Sequence, residues 1–144
     1  MANGSESERS YIETSALLAA LLDKQPAAKR ALERAVRPYA SRLTFVEARR
    51  AVIRARAGGQ LDAAQERAVV HAIQTFAAEC HTVPLTEEIL ERASRPFPVE
   101  PLRTLGAVHL ATAEFPADPP ALVTIVTCDR RVRANALAMG FQAP

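Results

Sequence analysis

Tryptophan is absent from this chain of 144 residues, and aromatic residues make up only 5% of it. So few rings exclude a base-stacking platform for single-stranded nucleic acid, since such platforms need several exposed aromatic side chains. Cysteine is scarce too: Cys80 and Cys128 stand far apart and match no metal-binding spacing. Two distant cysteines build no disulfide framework, so we expect a reducing, cytoplasmic compartment.

Long apolar runs are also missing, and none approaches the roughly 20 residues that a membrane-spanning helix needs. The chain lacks the Gly-rich motifs G-x-G-x-x-G and G-x-x-x-x-G-K-[ST], which weakens a nucleotide-binding α/β hypothesis. The opening MANGSESERS has no apolar signal-peptide core. We predict a flexible N-terminal tail over residues 1–9 and one domain over residues 10–144. The net charge of +2 permits a nucleic-acid partner without requiring one.

Short β-prone stretches alternate with helical ones along the chain. The predicted strands are residues 10–13, SRLTF (41–45), HTVPL (81–85) and ALVTIVTC (121–128). Helices are predicted after residue 13, from Pro26, from Val46, after the capping box of Asp62 and Gln65, after Thr86, from Pro101 and from Arg130. Strands that alternate with single or paired helices favour an α/β fold with a mostly parallel sheet.

Three acids fall at the predicted carboxyl edge of that sheet, where α/β proteins place their sites. Glu13 ends the first strand, Glu47 opens the helix after the second, and Asp129 ends the last. Carboxylates brought together repel one another, so a hard cation is their natural counter-charge. Oxygen ligands favour Mg²⁺ or Mn²⁺ over zinc. A simpler interpretation remains open for each acid, because carboxylates near helix N-termini also serve as caps.

Four stretches, in order, resemble the VapC-type toxin ribonucleases of the PIN-domain family. They are YIETSALLAALL, LTFVEARRAV, PLRTLGAVHLATA and VTCDRRVRANALAMGF, and the likeness covers nearly all of residues 11–144. The resemblance implies a three-layer α/β/α sandwich whose clustered acids bind Mg²⁺ or Mn²⁺. It implies hydrolysis of RNA to 3′-hydroxyl and 5′-phosphate products. It further implies a type II toxin–antitoxin system, with a small antitoxin that blocks the site, and a homodimer.

The chain departs from the family pattern at two positions. Glu13 stands where the family usually has Asp, which keeps the carboxylate on a longer arm. Gly106 stands where the family usually has Asp, which removes a carboxylate outright. His109 follows one turn later, and we expect it to be a buried, hydrogen-bonded helix residue. Two hypotheses therefore compete: a metal-dependent endoribonuclease that uses Glu13, Glu47 and Asp129, and an impaired module that binds RNA or protein without cleavage.

Several polar residues beside the acids are candidates for contact with RNA. Arg50 follows Glu47, and Arg130 and Arg131 follow Asp129, which suits contacts to backbone phosphates. The alternative for these arginines is a solvated helix face. Ser15 is either a hydroxyl ligand beside Glu13 or a helix cap.

Overall fold

The computed structural model describes residues 7–144. Four strands lie at Arg9–Ile12 (β1), Tyr39–Ser41 (β2), His81–Val83 (β3) and Val123–Val126 (β4). Seven helices lie at Thr14–Leu21 (α1), Pro26–Glu33 (α2), Arg42–Ala57 (α3), Ala63–Glu79 (α4), Glu87–Ala93 (α5), Thr104–Ala113 (α6) and Arg130–Ala138 (α7), and a 3-10 turn precedes β4. None of these helices is both long and apolar enough to cross a membrane.

The strands form one sheet in the order β3-β2-β1-β4, and every pair of neighbours in it is parallel. Tyr11 in β1 is in register with Tyr39 on one side and with Ile125 on the other. Because all four strands run the same way, their carboxyl ends meet at one edge. The predicted α/β class is confirmed.

Helices cover both faces of the sheet, since side chains alternate between the faces along each strand. Tyr11 and Tyr39 join a core with residues of α5, α6 and α7. Their neighbours Ile12 and Ala40 join a second core with residues of α1, α3 and α4. The result is the three-layer α/β/α sandwich that the family resemblance implied.

The second strand was predicted too late in the chain. It occupies Tyr39–Ser41, whereas the residues after Ser41 already belong to α3. The Ser41 hydroxyl accepts the Leu43 N–H and caps the helix, so the β-branched and aromatic residues that follow continue as helix. Glu47 consequently lies in the second turn of α3 and does not open it.

Other predicted boundaries shift by smaller amounts. The helix from Pro26 ends at Glu33 rather than continuing to residue 40. Pro101 lies in a loop, and α6 begins at Thr104. The capping box of Asp62 and Gln65 is confirmed.

At the N-terminus, β1 begins at Arg9, inside the predicted tail of residues 1–9. The Glu8 N–H donates to the Leu122 carbonyl at 2.8 Å, so the chain is already paired one residue earlier. The first six residues of the predicted tail lie outside the described residues.

Candidate active site

A cavity of about 600 Å³ opens at the carboxyl edge of the sheet. All three predicted acids line it, together with three arginines. The lining residues are Glu13, Glu47, Leu102, Arg103, Leu105, Gly106, His109, Cys128, Asp129, Arg130, Arg131 and Val132. The cavity therefore has carboxylates and guanidinium groups within one enclosure, and we call it the acid pocket.

Glu13 is the most deeply buried of the three acids, with 7% of its surface exposed. It follows β1 directly and caps α1, and its Oε2 accepts the Ser15 N–H at 3.1 Å. The hydroxyls of Ser15 and Thr127 donate to the same oxygen, the latter at 2.8 Å. These donors replace water around a buried carboxylate and offset part of the cost of its burial. They leave Oε1 free of hydrogen bonds from residues 7–144.

Glu47 is held by a second set of donors. Its Oε1 accepts the Thr14 hydroxyl at 2.7 Å and lies 2.7 Å from His109 Nε2. The other ring nitrogen, Nδ1, lies 2.7 Å from the Tyr11 hydroxyl. A carboxylate only accepts, so Nε2 donates to Glu47. This buried chain of hydrogen bonds fixes the orientation of Glu47.

The pKa of Glu47 lies below its ordinary value. Partial burial is the largest single influence and raises the pKa. The hydrogen bonds from His109 and Thr14, with the positive charges of His109 and Arg54, together outweigh burial. Glu47 is therefore held ionised at neutral pH.

The lowered pKa of Glu47 should make the free energy of unfolding depend on pH. A carboxyl whose pKa is lower in the folded state stabilises the protein above the unfolded value, near 4.5 for Glu, and that contribution disappears as pH falls through the folded pKa. We expect Glu47→Gln to be less stable than the parent at pH 7, with a gap that narrows below about pH 4.5. Urea unfolding of both proteins across this range measures the gap. Glu33→Gln, which removes an exposed carboxylate on α2, is the charge-matched control, and a gap for Glu47→Gln that is independent of pH would contradict the assignment.

Asp129 is exposed and caps α7. Its Oδ1 accepts the N–H groups of Arg131 at 2.8 Å and Val132 at 3.0 Å. Its own N–H donates to the Thr127 hydroxyl at 3.0 Å, so Thr127 links Asp129 to Glu13. The capping interpretation is confirmed. Oδ2 stays free of hydrogen bonds from residues 7–144, so the cap leaves one carboxylate oxygen unused.

The oxygens left free decide whether the pocket suits a divalent cation. Glu13, Glu47 and Asp129 each keep one such oxygen, and this donor chemistry matches Mg²⁺ or Mn²⁺. Burial, and secondarily the charge of Glu13, raises the pKa of the Cys128 thiol. Within residues 7–144, no three acid, histidine or cysteine side chains are close enough to surround one ion. The set fits a cation bound by one or two carboxylates and water, as is usual for Mg²⁺.

Comparison with known proteins gives the family. The sequence profile of the PIN domain matches residues 10–137, which is most of the chain. The chain belongs to the PIN domain family. No curated protein matches it.

Two solved structures share the PIN fold. One belongs to a toxin–antitoxin complex from Klebsiella pneumoniae, with a TM-score of 0.59, 19% identity, and 87% of this chain and 90% of that chain covered. The other is PAE2754 from Pyrobaculum aerophilum, with a TM-score of 0.60, 17% identity, and 99% of this chain and 88% of that chain covered. At these identities the likeness establishes the fold.

The arginines near the acid pocket of this PIN domain differ in whether their side chains are already hydrogen-bonded. Arg131 lines the acid pocket, but its Nη1 donates to the Pro101 carbonyl at 2.6 Å and so ties α7 to the loop before α6. Arg130 and Arg103 line the pocket without a side-chain hydrogen bond or ion pair to any residue from 7 to 144. Arg50 is exposed on α3 and is not part of the pocket lining.

Ser15 is not the helix cap, because Glu13 takes that role. Its hydroxyl donates to Glu13 and accepts the Cys128 N–H at 2.8 Å, so it holds the pocket wall together.

Gly106 lies on the wall of the acid pocket and not in the core. A Cβ placed on it would lie 3.0 Å from Leu102 Cδ1 and 3.4 Å from Val132 Cγ2. The Leu102 side chain therefore fills the space into which a side chain at position 106 would extend. An apolar side chain therefore packs closely against the position at which the family pattern has an acid.

Sequence reasoning missed Arg103 in the pocket lining, and it missed Tyr11 and Thr14 in the hydrogen-bond chain that holds Glu47. Tyr11 and Thr14 each flank Glu13 within two residues, and hydroxyls beside a strand-end acid are a signal for such partners. Arg103 sits in a loop with no pattern of its own. His109 is 1% exposed and hydrogen-bonded, as expected, but the identity of its partners could not be read from spacing along the chain.

Proposed function

We propose that this PIN domain is a Mg²⁺- or Mn²⁺-dependent endoribonuclease and the toxin component of a type II toxin–antitoxin system. The observation that carries the proposal is the composition of the acid pocket. Three carboxylates, each with a free oxygen, share one cavity with the guanidinium groups of Arg103 and Arg130. Carboxylates suit a cation and guanidinium groups suit a phosphate, so the pocket offers partners for both halves of a cation–phosphodiester pair.

In this proposal Glu13, Glu47 and Asp129 hold one or two cations, each bound directly by one or two of these carboxylates and otherwise by water. When bound, a cation would lower the pKa of the attacking water and stabilise negative charge on the phosphate. The chain's own groups orient the carboxylates. Thr127 and Ser15 fix Glu13, while His109 and Thr14 fix Glu47. Such fixed donors need no reorganisation when charge develops on the substrate.

The guanidinium groups divide into two roles. Arg103 and Arg130 are available to contact RNA phosphates, whereas Arg131 positions α7 through the Pro101 carbonyl. Arg50 lies farther along α3, where it would meet the RNA backbone outside the pocket. The products proposed are those that the family resemblance implies, a 3′-hydroxyl and a 5′-phosphate.

A small antitoxin is the protein partner in this proposal, acting in the cytoplasm on a homodimeric toxin. The structural neighbour from Klebsiella pneumoniae comes from a toxin–antitoxin complex, which supports a partner of this class. A basic side chain from the antitoxin would suit the acid pocket, because a guanidinium group binds carboxylates through paired hydrogen bonds.

A second candidate function is an impaired PIN module that binds RNA or protein without cleaving RNA. Gly106 and the overlying Leu102 favour it, since together they replace a carboxylate with an apolar wall. The two candidates differ in whether bound RNA is cut.

Thermal unfolding with Mn²⁺ tests the cation site. A ligand that binds only the folded state at about 100 times its dissociation constant stabilises the protein by about 2.7 kcal/mol. For a domain of this size we expect the melting temperature to rise by several degrees. Asp129→Asn should abolish most of the rise while keeping the cap, because an Asn side chain also caps helices. A variant that keeps the full rise would show that Asp129 is not a ligand, and Glu33→Gln serves as the control for loss of charge.

A further inference from the structure

A second groove, also of about 600 Å³, lies between α2 and the outer edge of β4. Its wall on one side is the face of α2 that carries Arg30 and Arg34. Its other wall is the stretch 124–128, which runs along β4 toward the acid pocket. We call it the α2–β4 groove.

The groove has a mostly apolar lining and carries two positive side chains. Arg30 and Arg34 are the only charged side chains among its described lining residues. Both are exposed, and neither makes an ion pair with a residue between Ser7 and Pro144. Their spacing of four residues places them on the same face of α2. The first turn of α2 also lines the groove and adds the positive end of the helix dipole.

The groove is continuous with the acid pocket. Cys128 lines both cavities. Thr127 lines the groove and donates its hydroxyl to Glu13 Oε2 at 2.8 Å. A polymer that occupies the groove can therefore pass over Thr127 and Cys128 and reach the carboxylates of the acid pocket.

We propose that the α2–β4 groove binds the single-stranded RNA backbone on one side of the phosphodiester held in the acid pocket. This proposal rests on the ribonuclease function proposed above. Arg30 and Arg34 contact successive phosphates, and small alanine side chains along the groove leave space for the sugar–phosphate chain. Recognition of the backbone by charge is independent of base identity, which agrees with the scarcity of aromatic residues.

A peptide strand added to the edge of β4 is the competing occupant. Two observations favour RNA. Part of that edge is already paired, since the Ile125 N–H donates to the Gln142 carbonyl at 2.8 Å and the Gln142 N–H donates to the Val123 carbonyl at 3.0 Å. In addition, the two arginines complement phosphates, and no acidic side chain is among the described lining residues.

Salt-dependent RNA binding tests the proposal. A short fluorescein-labelled single-stranded RNA is titrated with the parent and with Arg30→Gln/Arg34→Gln, in EDTA so that no cleavage occurs. Each phosphate contact on a single strand contributes about 0.7 to the slope of log K against log salt. We expect the slope of the variant to be smaller by about 1.4 than that of the parent. Lys24→Gln/Lys29→Gln is the matched control, because it removes two charges at the same part of the chain from residues that line another cavity.

The outcomes separate this proposal from the proposed function. Equal salt slopes for parent and variant would overturn the proposal that the groove binds RNA. Equal decreases of the slope in the variant and the control would overturn it too. Neither result would bear on the function proposed for the acid pocket. If Arg30→Gln/Arg34→Gln no longer binds a co-expressed antitoxin but keeps the salt slope of the parent for RNA, the groove binds a peptide. That result would also overturn the RNA proposal. A parent that binds no RNA in EDTA would also overturn the groove proposal, whereas the metal-dependent function is tested separately by RNA cleavage with Mn²⁺. The variant should keep the Mn²⁺-dependent rise in melting temperature, which verifies its fold and its acids.

Discussion

Restoring a carboxylate at position 106 should raise both Mn²⁺ affinity and RNA cleavage about tenfold or more. The expected gain follows if the added oxygen ligand stabilises the transition state by about 1.4 kcal/mol. The change must be made together with Leu102→Ala, because a Cβ at position 106 would already lie 3.0 Å from Leu102 Cδ1. Gly106→Asp alone forces the Leu102 tip aside and should show a smaller gain.

The matched control for Gly106→Asp/Leu102→Ala is Gly106→Asn/Leu102→Ala, which has nearly the same shape and no charge. Cleavage of a labelled RNA and thermal melts with Mn²⁺ compare the two variants with the parent. A parent that is already strongly active, with no gain in the Asp variant, would show that Gly106 does not limit the site. An equal gain in the Asn variant would assign the effect to the removal of Leu102 rather than to the carboxylate.

Much of the fold was predictable because its signals are local. The caps of Asp62 and Thr86 are side-chain to backbone bonds within three residues, and both are present. The buried strand at Val123–Val126 has the β-branched pattern of a parallel sheet. The predicted position of the second strand was wrong for a related reason. In SRLTF the β-prone residues continue from a cap into a helix, and propensity alone does not distinguish the two outcomes.

The placement of the acids was predictable from topology, because parallel strands bring their carboxyl ends to one edge. Glu13, Glu47 and Asp129 do line one cavity. Their partners were not predictable, since those contacts join distant parts of the chain. Tyr11 and His109, for example, meet across 98 positions of sequence. The packing of Leu102 on Gly106 likewise depends on how α6 begins, which the Pro101 pattern placed three residues too early.

The second large effect is expected for Asp129→Asn, which should reduce the rate of RNA cleavage by about 100-fold. Removal of one preorganised group that supports transition-state charge commonly has a cost of this size. The same loss is expected for the parent in EDTA, because both changes remove the cation from the acid pocket. Asp129→Asn keeps the cap on α7, so the loss would not reflect unfolding.

Cleavage of an end-labelled RNA, measured for the parent and Asp129→Asn with Mn²⁺ and with EDTA, is the most direct test of the acid pocket as a metal-dependent ribonuclease site. We predict cleavage only for the parent with Mn²⁺, with 5′-phosphate ends on the products. Cleavage by Asp129→Asn at the parent rate, or by the parent in EDTA, would contradict this function. A parent that binds Mn²⁺ and RNA but cuts nothing would contradict it as well and would favour the non-cleaving module.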